Sequence, residues 1–193
     1  MILTDILRRE HDLIERALDV LRAVADGLDV ADPPVEEARA LVAFFRDFAD
    51  AAHHAKEEGS LFPALESNGM PRDGGPVGCM LQEHEDGRKL VAAMADAADR
   101  GLADRESREA FREAARDYAI LLGQHIFKEN QVLFGMAERL LPEALHAQLG
   151  AEHHAAHEQA LATHAERIDE LARRFLGAQG NLDSTAPAAS RPL

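Results

Sequence analysis

Residues 53–62 read HHAKEEGSLF and residues 125–134 read HIFKENQVLF, so the two segments match as H-x-x-K-E-x-x-x-L-F. Side chains four apart share one side of a helix. The first segment therefore offers two inward pairs, His53–Glu57 or His54–Glu58, and by itself leaves the choice open. The second segment selects. Aligned on the shared Lys and Leu-Phe, His125 falls on His53 and Glu129 on Glu57, whereas His54 falls on Ile126 and Glu58 on Asn130. The expected pairs are His53–Glu57 and His125–Glu129.

A second phrase repeats at nearly the same distance. REH ends at His11 and QEH ends at His84, 73 residues apart, while His53 and His125 are 72 apart. Two helical hairpins thus each supply a lone His and then a His-x-x-x-Glu. In an antiparallel bundle they would be related by an approximate two-fold axis, with His11, His53, Glu57, His84, His125 and Glu129 converging inside. Burying such a set costs several kcal/mol for each unpaired charge, about what a bound cation would offset. A metal pair fits: the carboxylates bridge, the imidazoles divide two per metal, and a solvent oxo or hydroxo bridge leaves one open position on each. Imidazole and carboxylate donors suit iron, manganese or zinc. Two iron ions are expected, because a bridged pair with open positions gains most from a metal that changes oxidation state.

The rest of the chain reads as helix. It has 193 residues, 46% of them apolar, with no Trp and one Tyr, a composition that favours packed helices over a β sandwich. Apolar stripes at helical spacing mark five helices: about 4–27, a second after Pro34 that frays near LFPALESNG, 77–100, 105–140, and about 142–176. Thr4 or Asp5 is the expected cap of the first. The expected fold is all-α: an up-down-up-down four-helix bundle over 1–140, an additional helix at 141–176 packed outside it or across one end, and a disordered tail over 177–193.

The formal charge of −14 repels phosphate backbones and anionic lipid, so neither nucleic acid nor membrane is expected as a partner. No apolar run reaches the length of a membrane span. The single Cys79 permits no internal disulfide. The N-terminal stretch lacks a basic start before an apolar run, so no signal peptide and a cytoplasmic location are expected. No oligomeric state is implied.

The segments REHDLI, HHAKEEGSLFPAL, MLQEHEDG and HIFKENQVLF, in this order, resemble the hemerythrin-like, or HHE cation-binding, family over most of residues 1–140. The resemblance implies a non-haem di-iron centre in a four-helix bundle. Oxygen carriers of the family have His-x-x-x-His on the third helix, where this chain has Met80 four before His84. They also place Asp five after the last His, where this chain has Asn130 preceded by Glu129. The four-His, two-Glu pattern is more similar to repair-of-iron-centres proteins, although their N-terminal cysteine-bearing segment is not seen. The implied role is binding or reaction with O2, NO or peroxide in sensing or stress defence, with iron storage or delivery to damaged centres as the alternative and a structural zinc pair as a third.

Further residues invite a role. Glu15, four after His11, is a metal contact or a surface residue. Tyr118 lies on the stripe of His125, and Gly87 either admits a gas or permits close packing. His153, His154, His157 and His164 on the fifth helix are a second metal site or a solvated face. Lys56 and Lys128 are expected to extend outward. A ferritin-type site needs two Glu-x-x-His pairs, and only Glu143–His146 is present, outside the repeat.

Overall fold

The computed structural model describes residues 1–177, so the tail expected over 177–193 lies outside the described residues except for Gly177. Five long helices account for the described chain, with no strand among them. They are α1 (Leu3–Asp26), α2 (35–67), α3 (Pro76–Asp99), α4 (105–140) and α5 (Glu143–Leu176). None is long and apolar enough to cross a membrane. Ile2, not Thr4 or Asp5, stands at the N-cap of α1. Asp5 accepts the Ile2 amide at 3.2 Å, and Thr4 donates instead to Glu138 on α4 at 2.9 Å. At α4 the cap is Asp104, which accepts the Ser107 amide at 2.7 Å.

Helices α2 and α4 are not α-helical throughout. In α2, Phe45–His54 and Glu57–Leu61 are π-helical, and in α4 Glu129–Leu133 is. The sequence gives the reason. Leu41, Phe45, Ala49, His53, Glu57, Leu61 and Leu65 are all buried and spaced by four. An α-helix turns about 100° per residue, so each four-residue step drifts by about 40° from one face. Only an underwound helix keeps the whole series inward. The wider turns have i→i+5 bonds, Phe62 N–H to Glu57 O and Phe134 N–H to Glu129 O, at matching places in the repeat. The same shift of phase leaves Val132, three after Glu129, out in solvent and brings Leu133 in. Contrary to the expected fraying, α2 continues past Pro63 to Ser67.

The first four helices run up-down-up-down. α1 packs on α2 and α4, and α3 packs on the same two. α5 lies along α1 and against the π-helical part of α2, outside the bundle. At Gly150 it passes so close to the N-terminus that a Cβ there would lie 2.2 Å from the Met1 carbonyl oxygen.

The apolar core is in two parts. One cluster, with Leu21, Phe45, Phe48 and Phe111, fills one half of the bundle. The other, with Leu7, Phe62, Met80 and Phe134, fills the opposite end. Positions 11, 53–57, 84 and 125–129 fall between them. Phe48 is fully buried and stacks on Phe44 with ring centroids 5.1 Å apart. Phe48→Ala is expected to destabilise the protein by about 3–5 kcal/mol in urea unfolding; a loss under about 1 kcal/mol would mean the site repacks freely.

Candidate metal centre

All six side chains singled out by the repeat meet in the layer between the two cores, each at most 1% exposed. His11 Nε2 lies 3.0 Å from His53 Nε2, and His84 Nε2 lies 3.2 Å from His125 Nε2. Glu57 spans the two pairs, with Oε1 3.7 Å from His53 Nε2 and Oε2 3.5 Å from His84 Nε2. Glu129 spans them the other way, its Oε2 lying 3.2 Å from His11 Nε2 and 3.3 Å from His125 Nε2. Two groups of potential donors result, with ligand atoms within 4.8 Å of one another. One is His11, His53, Glu57 and Glu129; the other is His54, Glu57, His84 and His125.

His54 was not expected there. Alignment on the repeat pairs it with Ile126, yet it is buried at 4% exposure and turned inward beside His53. Both lie in the π-helical turn, which admits neighbouring residues to the same interior.

The outer ring nitrogens are anchored in a regular pattern. His53 Nδ1 donates to Glu10 at 2.9 Å and His125 Nδ1 to Glu83 at 2.9 Å. His11 Nδ1 donates to Asn130 Oδ1 at 2.9 Å and His84 Nδ1 to Glu58 at 2.7 Å. These anchors obey the same two-fold repeat. Glu10 and Glu83 each precede the lone His of their hairpin, and Glu58 and Asn130 each follow a bridging-position Glu. A ring that donates through Nδ1 presents a bare lone pair at Nε2, the arrangement of metal-bound imidazoles. The shared Glu of REH and QEH and the shared Lys of the longer phrase were legible signals for this second layer. Lys56 is 2.8 Å from Glu10, and Lys128 is paired with Glu83. Lys56 is 5% exposed, so the outward reading fails for it, because Glu10 draws it into the interior; Lys128 is partly exposed.

Electrostatics identify what the centre lacks. Burial and the neighbouring Glu129 charge push the Glu57 carboxyl well above its usual range. Burial opposes the charge on Glu129, but His125 and His11 more than offset it and hold that carboxyl well below. Burial also opposes a charge on His125, yet Glu129 and Glu83 hold it up to about 9. Burial takes His53 and His54 down to about 4 and His84 to about 3. None of the four oxygens of Glu57 and Glu129 has a hydrogen-bond partner, nor does His54 Nε2. The inner nitrogens of the paired imidazoles face each other at 3.0 and 3.2 Å. This is a donor set without an acceptor, and a cation fits it.

The remaining candidates separate. Glu15 is exposed and faces away from the centre. Tyr118 and Gly87 line a cavity of about 150 Å³ beside His54, His84 and His125, together with Phe45, Val91 and Arg88. The α5 histidines form no metal cluster among the described residues. His157 donates to Glu10 at 2.9 Å, His153 bonds Ser60 at 2.8 Å, and His164 meets Phe48 edge-on. His146 bonds the Ala137 carbonyl, far in role from a ferritin-type ligand.

The two-fold-related pairs Glu10–Lys56 and Glu83–Lys128 differ in burial. Lys56→Met leaves a buried carboxylate short of its cation and is expected to destabilise the metal-free protein by about 3–5 kcal/mol. Lys128→Met, at a partly exposed pair, is expected to cost about 1 kcal/mol or less. Urea unfolding of the two variants checks the contrast, and equal losses would contradict it.

The family model described as the hemerythrin HHE cation-binding domain matches residues 2–137, which contain every donor above but exclude α5. No curated protein and no solved structure gives a significant match. With the family model spanning most of the chain and the His/Glu clusters at its heart, the protein belongs to the hemerythrin HHE cation-binding domain family.

Proposed function

We propose that this chain is a non-haem di-iron protein that binds or reacts with a small ligand, O2, NO or H2O2, in sensing or stress defence. His11 and His53 would hold one iron, His84 and His125 the other, and Glu57 and Glu129 both. The observation that supports this most is the set of four buried carboxylate oxygens without hydrogen-bond partners, facing the inner nitrogens of imidazole rings already anchored from behind. Iron bound there would supply open coordination positions and a change of oxidation state.

The chain's own residues do the rest. Glu10, Glu58, Glu83 and Asn130 hold the ring planes, so no rearrangement is needed to receive the metals. The flanking apolar clusters exclude bulk water. The unit that holds the centre would be residues 1–140, braced at Glu10 by His157 from the helix at 141–176.

Metal analysis of the purified protein, with optical spectra under anaerobic reduction and then under each ligand, tests the reading. Bound iron with spectra that change reversibly with O2 or NO supports ligand binding. Rapid transfer of iron to an apo acceptor would favour storage or delivery, and zinc alone would exclude redox chemistry. His125→Ala is expected to lower metal affinity by at least about tenfold; full occupancy at limiting metal would count against the assignment.

The protonation pattern gives a second check. The metal-free centre keeps a proton on His125 up to about pH 9, and another on Glu57 above the usual carboxylate range. Metal binding must displace them, so the metal-free state binds more protons and rising pH favours the metal-bound state. Apparent affinity is expected to climb from pH 6 to 9 by about tenfold per unit for the His125 proton displaced. Metal titration in weak buffer should acidify the solution. A flat profile would contradict the reading.

A further inference from the structure

The inner donors and their anchors follow the two-fold repeat everywhere except around one residue. His54 corresponds to Ile126, a buried apolar side chain. Its anchor Asp50, whose Oδ1 lies 3.4 Å from His54 Nδ1, corresponds to Leu122, also buried and apolar. Arg88, which holds Asp50 through Nε at 2.9 Å and Nη2 at 2.8 Å, corresponds to the exposed Glu15. One imidazole, its acceptor and the clamp on that acceptor are therefore all present in one half of the molecule and all missing from the other. A lone histidine that merely fills space needs no such support.

The ring lies within reach of the centre. Its Nδ1 faces a carboxylate, as the outer nitrogens of His53, His84 and His125 do, while its Nε2 is buried without a partner. His54 belongs to the group formed with Glu57, His84 and His125, which offer ligand atoms within 4.8 Å of one another. The ring stacks on His84 with centroids 3.8 Å apart and planes 11° from parallel, so the two in-plane lone pairs run side by side and His54 must turn about its Cβ–Cγ bond to share an ion with His84. Arg88 also reaches Glu58, the anchor of His84, at 2.7 Å, so one guanidinium fixes the acceptors of both rings.

We propose that His54 is a third imidazole donor to the metal held by His84 and His125. This rests on the reading of the centre as a metal pair. The two metals are then unlike: with both carboxylates shared, the one beside His54 has three ring nitrogens and the one beside His11 and His53 has two. The position left for an exogenous ligand lies on the two-imidazole metal. The third-helix position that would supply another imidazole in oxygen carriers is Met80, which is buried in the apolar cluster at 3% exposure. His54 reaches the centre from the second helix instead, through the π-helical turn.

The test uses the full-length chain loaded with ⁵⁷Fe. The diferric wild type is expected to give two Mössbauer quadrupole doublets of equal area and to bind one azide per metal pair in an optical titration. His54→Ala is expected to keep its iron pair, collapse the spectrum toward one doublet and bind a second azide. The cavity beside His54 is about 150 Å³, of the size that accepts benzene in an apolar interior, so added imidazole should enter it and restore the two doublets. His54→Gln keeps most of the side-chain volume and should lose the asymmetry in the same way. The wild-type spectrum decides independently of how either variant folds. A single doublet in the wild type would overturn the proposal, as would variants with the wild-type spectrum and azide stoichiometry. A wild type that holds no iron pair at all would remove the di-iron reading itself, which is a separate failure.

Discussion

Two carboxylates sit at the middle of the bundle with apolar clusters on either side and no donor for any of their oxygens. An unpaired buried charge of this kind costs several kcal/mol, about what a domain can spare in total stability. The surrounding structure limits that cost without removing it. Glu57 is pushed toward its neutral form, and the His125 cation stands beside Glu129. The anchors are graded in the same sense: Asn130, with no charge, faces His11, while Glu58 and Glu83 retain some exposure. Glu10, the one fully buried anchor, has Lys56 and His157 beside it. The arrangement tolerates its charges as a metal-free protein and is completed by a cation.

That constraint reaches back into helix geometry. A side chain can serve the centre only if the helix holds it inward over many turns, and α2 does so by burying every fourth residue from Leu41 to Leu65. The drift this would cause in an α-helix is absorbed by π-helical turns, two of which begin at the bridging-position glutamates themselves. The π turn is thus a consequence of asking one helix to give donors and core from the same face. It also explains how His53 and His54, adjacent in sequence, both reach the interior.

The repeat made the six inner residues readable because the two halves check each other: what both copies share is a constraint, and what only one copy has looks incidental. The same logic hid His54, whose value lies in having no counterpart. Glu10, Glu83 and the paired lysines were within reach, since they repeat as faithfully as the ligand positions, but a charged residue beside a histidine reads first as solvated surface. The strict period of four in α2 was visible as a stripe, yet spacing of four and of 3.6 separate only over several turns. His157 carried no signal, because its partner Glu10 is 147 residues away and belongs to another helix. Composition and stripe periodicity were enough for the bundle; the contact between α5 and the centre needed the tertiary structure.

The repeat supplies two similar groups of donors, but two groups with identical surroundings would have no preferred site for a ligand. Two departures break the equivalence, and they fall on opposite halves. On the His84–His125 side, His54 adds a ring nitrogen next to a cavity, and the anchor Glu83 touches solvent. On the His11–His53 side, α5 lays His157 over Glu10 and closes that anchor off completely. With the proposed third imidazole, the more open side of the protein holds the more fully coordinated metal, and the metal with room for a ligand lies beneath the added helix. Access to it would then require a species small enough to cross a packed, apolar layer, which describes a diatomic gas, hydrogen peroxide or a three-atom probe such as azide better than a bulky substrate. On that proposal the helix outside the family's domain would take part in the selectivity of the centre, acting through what it excludes.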